Sequence, residues 1–229
     1  MTGTGPSQPR RAAIFDVDGV LVDSEPLHRV AWEHVFGPRG VVVPQSDYAW
    51  SIGRRDVLLA GRVRDRFGLD DSAEALRDEK IDYYVELLAR ESETFEGVPE
   101  LVRALAAGWR LGITSSAHGR AIDIVLDRFG LCPYFPVIVA NEDVANHKPH
   151  PEPYLTCARL LGADPRACVA FEDSVSGIES AGAAGMRVIA VTTTFPAGEL
   201  GGADAVLESL ADTAEVVRLA KSLLSSGSA

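Results

Sequence analysis

The chain is short of cysteine, of positive charge and of long apolar runs. Its 229 residues include 3 cysteines, Cys132, Cys157 and Cys168, too few and too widely spaced for a disulfide framework or a zinc motif. Cys157 and Cys168 lie in apolar stretches and read as core thiols. No apolar run approaches the roughly 18 residues of a membrane span, so no membrane partner is expected. Met1 to Arg10 is rich in Gly, Pro and Ser and lacks a signal-peptide core, which makes the cytoplasm the expected location. Lysine and arginine number 22 against 33 acidic residues, a net charge of −11. That balance argues against nonspecific binding of nucleic acid or anionic membrane. An anionic substrate would have to be met by locally focused cations. There is no internal repeat. The length and the apolar fraction of 46% suit one large domain, or a core carrying an inserted module.

What the chain does have is an apolar run, Ala12-Ala13-Ile14-Phe15, that ends in Asp16-Val17-Asp18-Gly19. In extended chain, residues i and i+2 face the same side, so Asp16 and Asp18 share one space at a strand end. Two such charges about 4 Å apart repel by roughly 4 kcal/mol at an effective dielectric near 20. The pair therefore calls for a cation, a proton or both. Gly19 permits a tight turn or a close approach to a ligand. Taken alone, Asp-x-Asp-Gly is also compatible with a solvated turn.

Three further apolar runs end in polar clusters. Leu111-Gly112-Ile113 leads into Thr114-Ser115-Ser116, Val137 to Ala140 precedes a segment with Lys148, and Cys168 to Phe171 ends in Glu172-Asp173. After Gly97 the chain alternates. Helices are expected over Pro99 to Ala107, Arg120 to Phe129, Pro153 to Leu161 and Ile178 to Ala184. Strands are expected up to Thr114 and over Val137 to Ala140, Cys168 to Glu172 and Val188 to Thr192. A last helix starts near Asp212, with Ser222 to Ala229 as a frayed tail. This is the pattern of a doubly wound parallel sheet, an α/β fold whose ligands bind where the strands' C-terminal ends open. The segment from about Glu25 to Glu93 breaks the alternation and reads as helices only.

The ordered set Asp16 to Pro26, Thr114-Ser115-Ser116, Lys148-Pro149 and Glu172 to Ile178 resembles the haloacid dehalogenase-like hydrolase superfamily, in the branch of β-phosphoglucomutase and small-metabolite phosphatases. The likeness runs from about Ala12 to Thr194. It implies a Rossmann-like core of residues 11–24 and 94–229 with an all-helical cap, residues 25–93, inserted after the first strand. It also implies roles. Asp16 is the expected nucleophile, forming an aspartyl-phosphate. Asp18 is the expected general acid and base, and its presence points to phosphoryl transfer, because the dehalogenases lack it. Mg²⁺ is the expected cofactor, held by Asp16, the Asp18 carbonyl and Asp173, with Glu172 in direct contact or just behind; hard oxygen ligands suit that ion. Glu172-Asp173 could otherwise complement a helix dipole. Thr114, with the Ser115 amide and Ser116 beside it, would bind a phosphoryl oxygen, and Lys148 would neutralise both Asp16 and the phosphate.

In the cap segment, a helix starting at Asp71 or Ser72 carries an apolar stripe of Leu76, Tyr83, Tyr84, Leu87 and Leu88, and Lys80 falls on it. Such a lysine either snorkels to solvent or faces an anion in a cleft. The resemblance implies a lysine that faces substrate. Arg54 and Arg55 follow Gly53 in a loop and could bind substrate oxygens or be a basic surface loop. His28 would help position Asp18, or be structural. Mutases of this branch carry a lysine and an asparagine after the second-motif serine, where this chain has Ala117 and His118, and Ile52 rather than lysine precedes Gly53. The expected function is thus a Mg²⁺-dependent phosphatase of a small phosphorylated metabolite, a sugar or polyol phosphate, acting as a monomer. A phosphosugar mutase and a silent phosphate-binding regulatory protein are the alternatives.

Overall fold

The computed structural model describes residues 11–225. Its centre is β1 (Ala12–Phe15), buried at every position. Around it β2 (Arg110–Thr114), β3 (Val137–Val139), β4 (Cys168–Glu172), β5 (Arg187–Val191) and β6 (Ala205–Leu207) form one six-stranded sheet in the order β3-β2-β1-β4-β5-β6. Every pairing is parallel. The strands are nearly all apolar because a parallel sheet is covered on both faces. Side chains alternate accordingly. Ala13, Phe15, Val169 and Phe171 join one core, whereas Ala12, Ile14, Cys168 and Ala170 join the other. Phe15 and Phe171 stack with centroids 4.5 Å apart.

Helices α5 (Val98–Ala106), α6 (Gly119–Arg128) and α9 (Thr213–Ser225) cover the first face, and α7 (Glu152–Leu161) and α8 (Val175–Ala183) the second. The chain leaves β1 toward β2 and β3, then crosses back to β4, so strand order reverses beside β1. The C-terminal ends of β1, β2 and β4 therefore meet at the switch point where such sheets bind ligands.

Between β1 and α5 lie four α-helices: α1 (Glu25–Phe36), α2 (Gln45–Ser51), α3 (Asp56–Phe67) and α4 (Ala73–Glu91). They have a core of their own built on Trp32, Val35, Phe36, Leu59, Val63 and Leu76. The Ser72 hydroxyl, not Asp71, caps α4 by accepting from the Ala75 amide at 3.1 Å; Asp71 pairs with Arg39 instead. Buried Asp47 of α2 accepts hydrogen bonds from Arg62 and Arg66 of α3.

The helices and strands expected after Gly97 are all present, β4 with the expected bounds and the others with ends shifted by at most three residues. The largest shift is at α8, which begins at Val175 because the Ser174 hydroxyl accepts from the Gly177 amide. β6 was not expected. It is three residues long and half-buried throughout, and so carries little pattern. The expected tail is corrected in part, since α9 continues through Ser225. Residues 226–229, like the Gly/Pro/Ser-rich Met1 to Arg10, lie outside the described residues. No helix among the described residues is long and apolar enough to cross a membrane.

Candidate active site

One cavity opens at the switch point. Asp16, Asp18, Gly19, Ser115, Ser116, Lys148 and Asp173 line it from the sheet side; His28, Trp32, Tyr48, Ile52, Arg54, Asp56 and Tyr84 line it from the helical insert. Asp16 follows β1 directly, and its amide donates to the Phe171 carbonyl at 3.0 Å, extending the ladder by one bond. Gly19 turns the chain at φ +75° with a carboxylate oxygen of Asp173 pressed against it. A Cβ at that position would lie 1.9 Å from this oxygen, so the turn and the close approach both require glycine.

Lys148 is the hub of the site. Its ammonium donates to Asp16 Oδ1 at 3.0 Å, to Glu172 Oε1 at 2.5 Å and to the Thr114 carbonyl at 3.0 Å. Burial alone would lower its pKa, but the charges of Asp16 and Glu172 outweigh this and raise it, so Lys148 stays cationic. One lysine does not balance three acids. Carboxylate oxygens of Asp16, Glu172 and Asp173 lie within 4.8 Å of one another, and all three residues are buried. Burial, with the charges of Glu172 and Asp18, pushes Asp16 up to about 7 against the pull of Lys148. Asp173 is pushed well above the carboxylate range by burial and by Asp16 and Glu172.

Such a set of hard oxygen donors, short of positive charge, fits a divalent cation. Among these acids Glu172 has the least capacity left. Oε1 already accepts from Lys148 and from the Tyr154 hydroxyl at 2.5 Å, and Oε2 faces the Asp173 and Ser174 amides and the Ser174 hydroxyl. Asp16 and Asp173 are the freer donors, and Glu172 stands behind them, orienting Lys148 and the β4 to α8 turn.

Asp18 is built differently. It accepts from the Ser24 hydroxyl at 2.5 Å and the Tyr84 hydroxyl at 3.1 Å, and His28 Nε2 lies 3.4 Å away. Burial disfavours its charge, yet the hydrogen bond and charge of His28, the Ser24 hydroxyl and the charge of Lys80 hold its pKa below the usual carboxylate range. The two aspartates thus sit in different surroundings, Asp16 against a lysine and two further acids, Asp18 among two hydroxyls and an imidazole.

Thr114 departs from expectation. Its side chain lies on the same strand face as Gly112, the face packed by Cys157 of α7, and it does not line the cavity. Only its carbonyl enters the site, through Lys148. The alternation of a strand puts the next residue on the cavity side, and Ser115 and Ser116 line the cavity in its place. Lys80 neither snorkels nor opens onto the cavity. It is fully buried, donates to Asp56 at 2.8 Å, sits 2.7 Å from His28 Nδ1 and packs over the Tyr84 ring. It reaches the site through His28, which in turn faces Asp18. Arg54 lines the cavity; Arg55, beside it, does not.

Ser24, Tyr84, Asp56 and Tyr154 join the site without having been expected there. Tyr84 had a signal, because it lies one turn from Lys80 on α4 with a hydroxyl on an otherwise apolar stripe. Asp56 had none, since a lone aspartate at a helix start is ordinary.

Residues 13–191 match the haloacid dehalogenase-like hydrolase family. The chain belongs to that family, and it is an enzyme. Among its relatives, hexitol phosphatase B of Escherichia coli strain K12 is 34% identical over 190 residues, covering 81% of this chain and 86% of the relative. The fructose-1-phosphate phosphatase YqaB of the same organism is 32% identical over 178 residues, covering 78% and 94% respectively. The fold is also that of β-phosphoglucomutase from Clostridium difficile, with a TM-score of 0.80, 24% identity and coverage of 93% of this chain and 97% of the mutase.

Proposed function

We propose that this protein is a Mg²⁺-dependent phosphatase that hydrolyses a sugar or polyol monophosphate held between the sheet edge and the helical insert. The observation that carries the reading is the pair Asp16 and Asp18 lining one cavity, Asp16 beside Lys148 and next to Asp173, and Asp18 beneath His28 and Tyr84. The chain is a phosphoric monoester hydrolase. Its relatives named for fructose 1-phosphate and for hexitol phosphates support the substrate class.

In the first step an Asp16 oxygen attacks phosphorus, the bond from phosphorus to the ester oxygen breaks, and Asp18 gives that oxygen a proton. In the second, water attacks the aspartyl-phosphate, Asp18 takes its proton, and Asp16 leaves with the bonding electron pair. Lys148 and the Ser115 and Ser116 turn hold the phosphoryl oxygens. Asp16, Asp173 and the Asp18 carbonyl would hold Mg²⁺, which supplies neutralisation of charge on the transferring group. Asp18 accepts three contacts in this arrangement. It suits the base role as it stands and must turn from these donors to act as acid. Residues 25–93 serve as the cap that excludes water and reads the rest of the substrate.

A mutase is the second reading, because the fold accommodates one. It would need a strong grip on a second phosphate, yet Ile52, Ala117 and His118 line the cavity where that grip belongs. His118 moreover faces Glu142 at 3.4 Å. A panel of hexose, pentose and hexitol monophosphates with Mg²⁺ tests the choice. Inorganic phosphate release without a bisphosphate activator is expected. Efficient conversion of β-glucose 1-phosphate to glucose 6-phosphate, stimulated by a hexose bisphosphate, would establish the mutase instead.

A further inference from the structure

Arginines between residues 25 and 93 are almost all matched to carboxylates. Among the described residues the exceptions are Arg54 and Arg55, and of these Arg54 lines the cavity. It sits at the seam between insert and sheet. Gly53, just before it, turns at φ +71° and its carbonyl accepts from the Ser176 hydroxyl of α8 at 3.2 Å. A long, exposed arginine with no counter-charge would ordinarily sample many rotamers. This one is held. Its Nε donates to the Trp50 carbonyl at 2.9 Å, and its guanidinium lies 4.9 Å from the centroid of the Trp50 ring.

Trp50 is itself supported. The Arg62 guanidinium lies 4.7 Å from the same ring centroid, and Arg62 Nε donates to Asp47 at 2.7 Å. Asp47 is fully buried and is fixed further by Arg66. Two cations near one ring repel each other. Asp47 answers the charge of Arg62, whereas Arg54 keeps its charge, and the guanidinium nitrogens beyond Nε have no partner among the described residues. Trp50 does not line the cavity. Its connection to the cavity runs through Arg54.

We propose that Trp50 is a positioning residue for substrate recognition: backed by Arg62 and buried Asp47, it holds the Arg54 guanidinium toward oxygens on the part of the ester remote from the phosphate. The inference rests on the phosphatase reading. An arginine held in place loses less rotamer freedom on binding, so the contribution belongs to substrate affinity and not to the displacement.

The test compares wild type, Trp50→Leu, Trp50→Phe, Arg54→Ala and the Trp50→Leu/Arg54→Ala double variant. The probes are p-nitrophenyl phosphate, which has no polyol, and whichever of fructose 1-phosphate and sorbitol 6-phosphate wild type turns over faster. Trp50→Leu is expected to raise KM for the polyol ester about three- to fivefold with little change in kcat, the range of a cation–π contact. The aryl ester should be affected less. Trp50→Phe should recover most of the loss. In the Arg54→Ala background, Trp50→Leu should add nothing, because its effect passes through Arg54. Equal losses on both esters, or losses that add in the double variant, would overturn the positioning role while leaving the phosphatase reading intact. A wild-type enzyme that hydrolyses only the aryl ester would also overturn it. If wild type hydrolyses neither, the phosphatase reading fails and this inference fails with it.

Discussion

The Lys148 ammonium lies 3.0 Å from the Asp16 carboxylate, across 132 residues of sequence. The contact exists because β1 and β2 are neighbours and Lys148 reaches the Thr114 carbonyl at the end of β2 as well. Among the described residues Lys148 is the one lysine or arginine paired with the crowded acids Asp16 and Glu172.

Replacing Lys148 by methionine keeps the length of the side chain and deletes the charge. Asp16 and Glu172 would then be buried without their cation, a loss of about 3 kcal/mol or more. Denaturant unfolding in the absence of divalent metal should show the midpoint fall accordingly. Phosphatase activity should be lost with it. An unchanged midpoint would mean that the acids are neutralised by another route.

Asp18→Asn should retain binding of phosphate ester and metal while losing most turnover, since the amide cannot protonate the leaving oxygen or accept a proton from water. The loss should be smaller for p-nitrophenyl phosphate, whose leaving group needs no proton. Steady-state kinetics on the aryl and polyol esters side by side reads this difference. Equal losses on the two would remove the acid role.

Asp47 supplies a pH dependence away from Asp16 and Asp18. Its hydrogen bonds and charge pairing with Arg62 and Arg66 outweigh its burial and lower its folded-state pKa. A group with a depressed folded-state pKa stabilises above its unfolded value, near 3.9, and loses that contribution as pH falls through the folded value. Asp47→Asn should therefore cost about 2 kcal/mol at pH 7, a charge-assisted hydrogen-bond contribution. The gap between variant and wild type should close progressively below about pH 4. Thermal unfolding at a series of pH values measures it; a gap independent of pH would show that packing, not charge, is what the substitution removes.

Much of this was legible in the sequence because strands announce their ends. The run Ala12 to Phe15 followed by Asp-x-Asp-Gly, and Cys168 to Phe171 followed by Glu172-Asp173, fix both the sheet and the acid cluster, since a buried parallel strand is nearly all apolar and the polar residues begin where it stops. Thr114 shows the limit. One residue decides which face of a strand end a side chain takes, and a run of Thr-Ser-Ser gives no hydrophobic contrast by which to read the register. Lys80 shows another. Its place on the apolar stripe of α4 was visible, but its partners Asp56 and His28 come from two other helices, and a contact between helices leaves no periodic trace in either.

The proposed mechanism turns on an aspartyl-phosphate at Asp16, and rapid-quench kinetics with a phosphorus-32-labelled ester in the presence of Mg²⁺ tests for it directly. Label should appear on the protein before inorganic phosphate is released, map to the peptide containing Asp16, and be absent in Asp16→Asn together with turnover. Undiminished release of phosphate by Asp16→Asn, with no labelled protein in wild type, would contradict it.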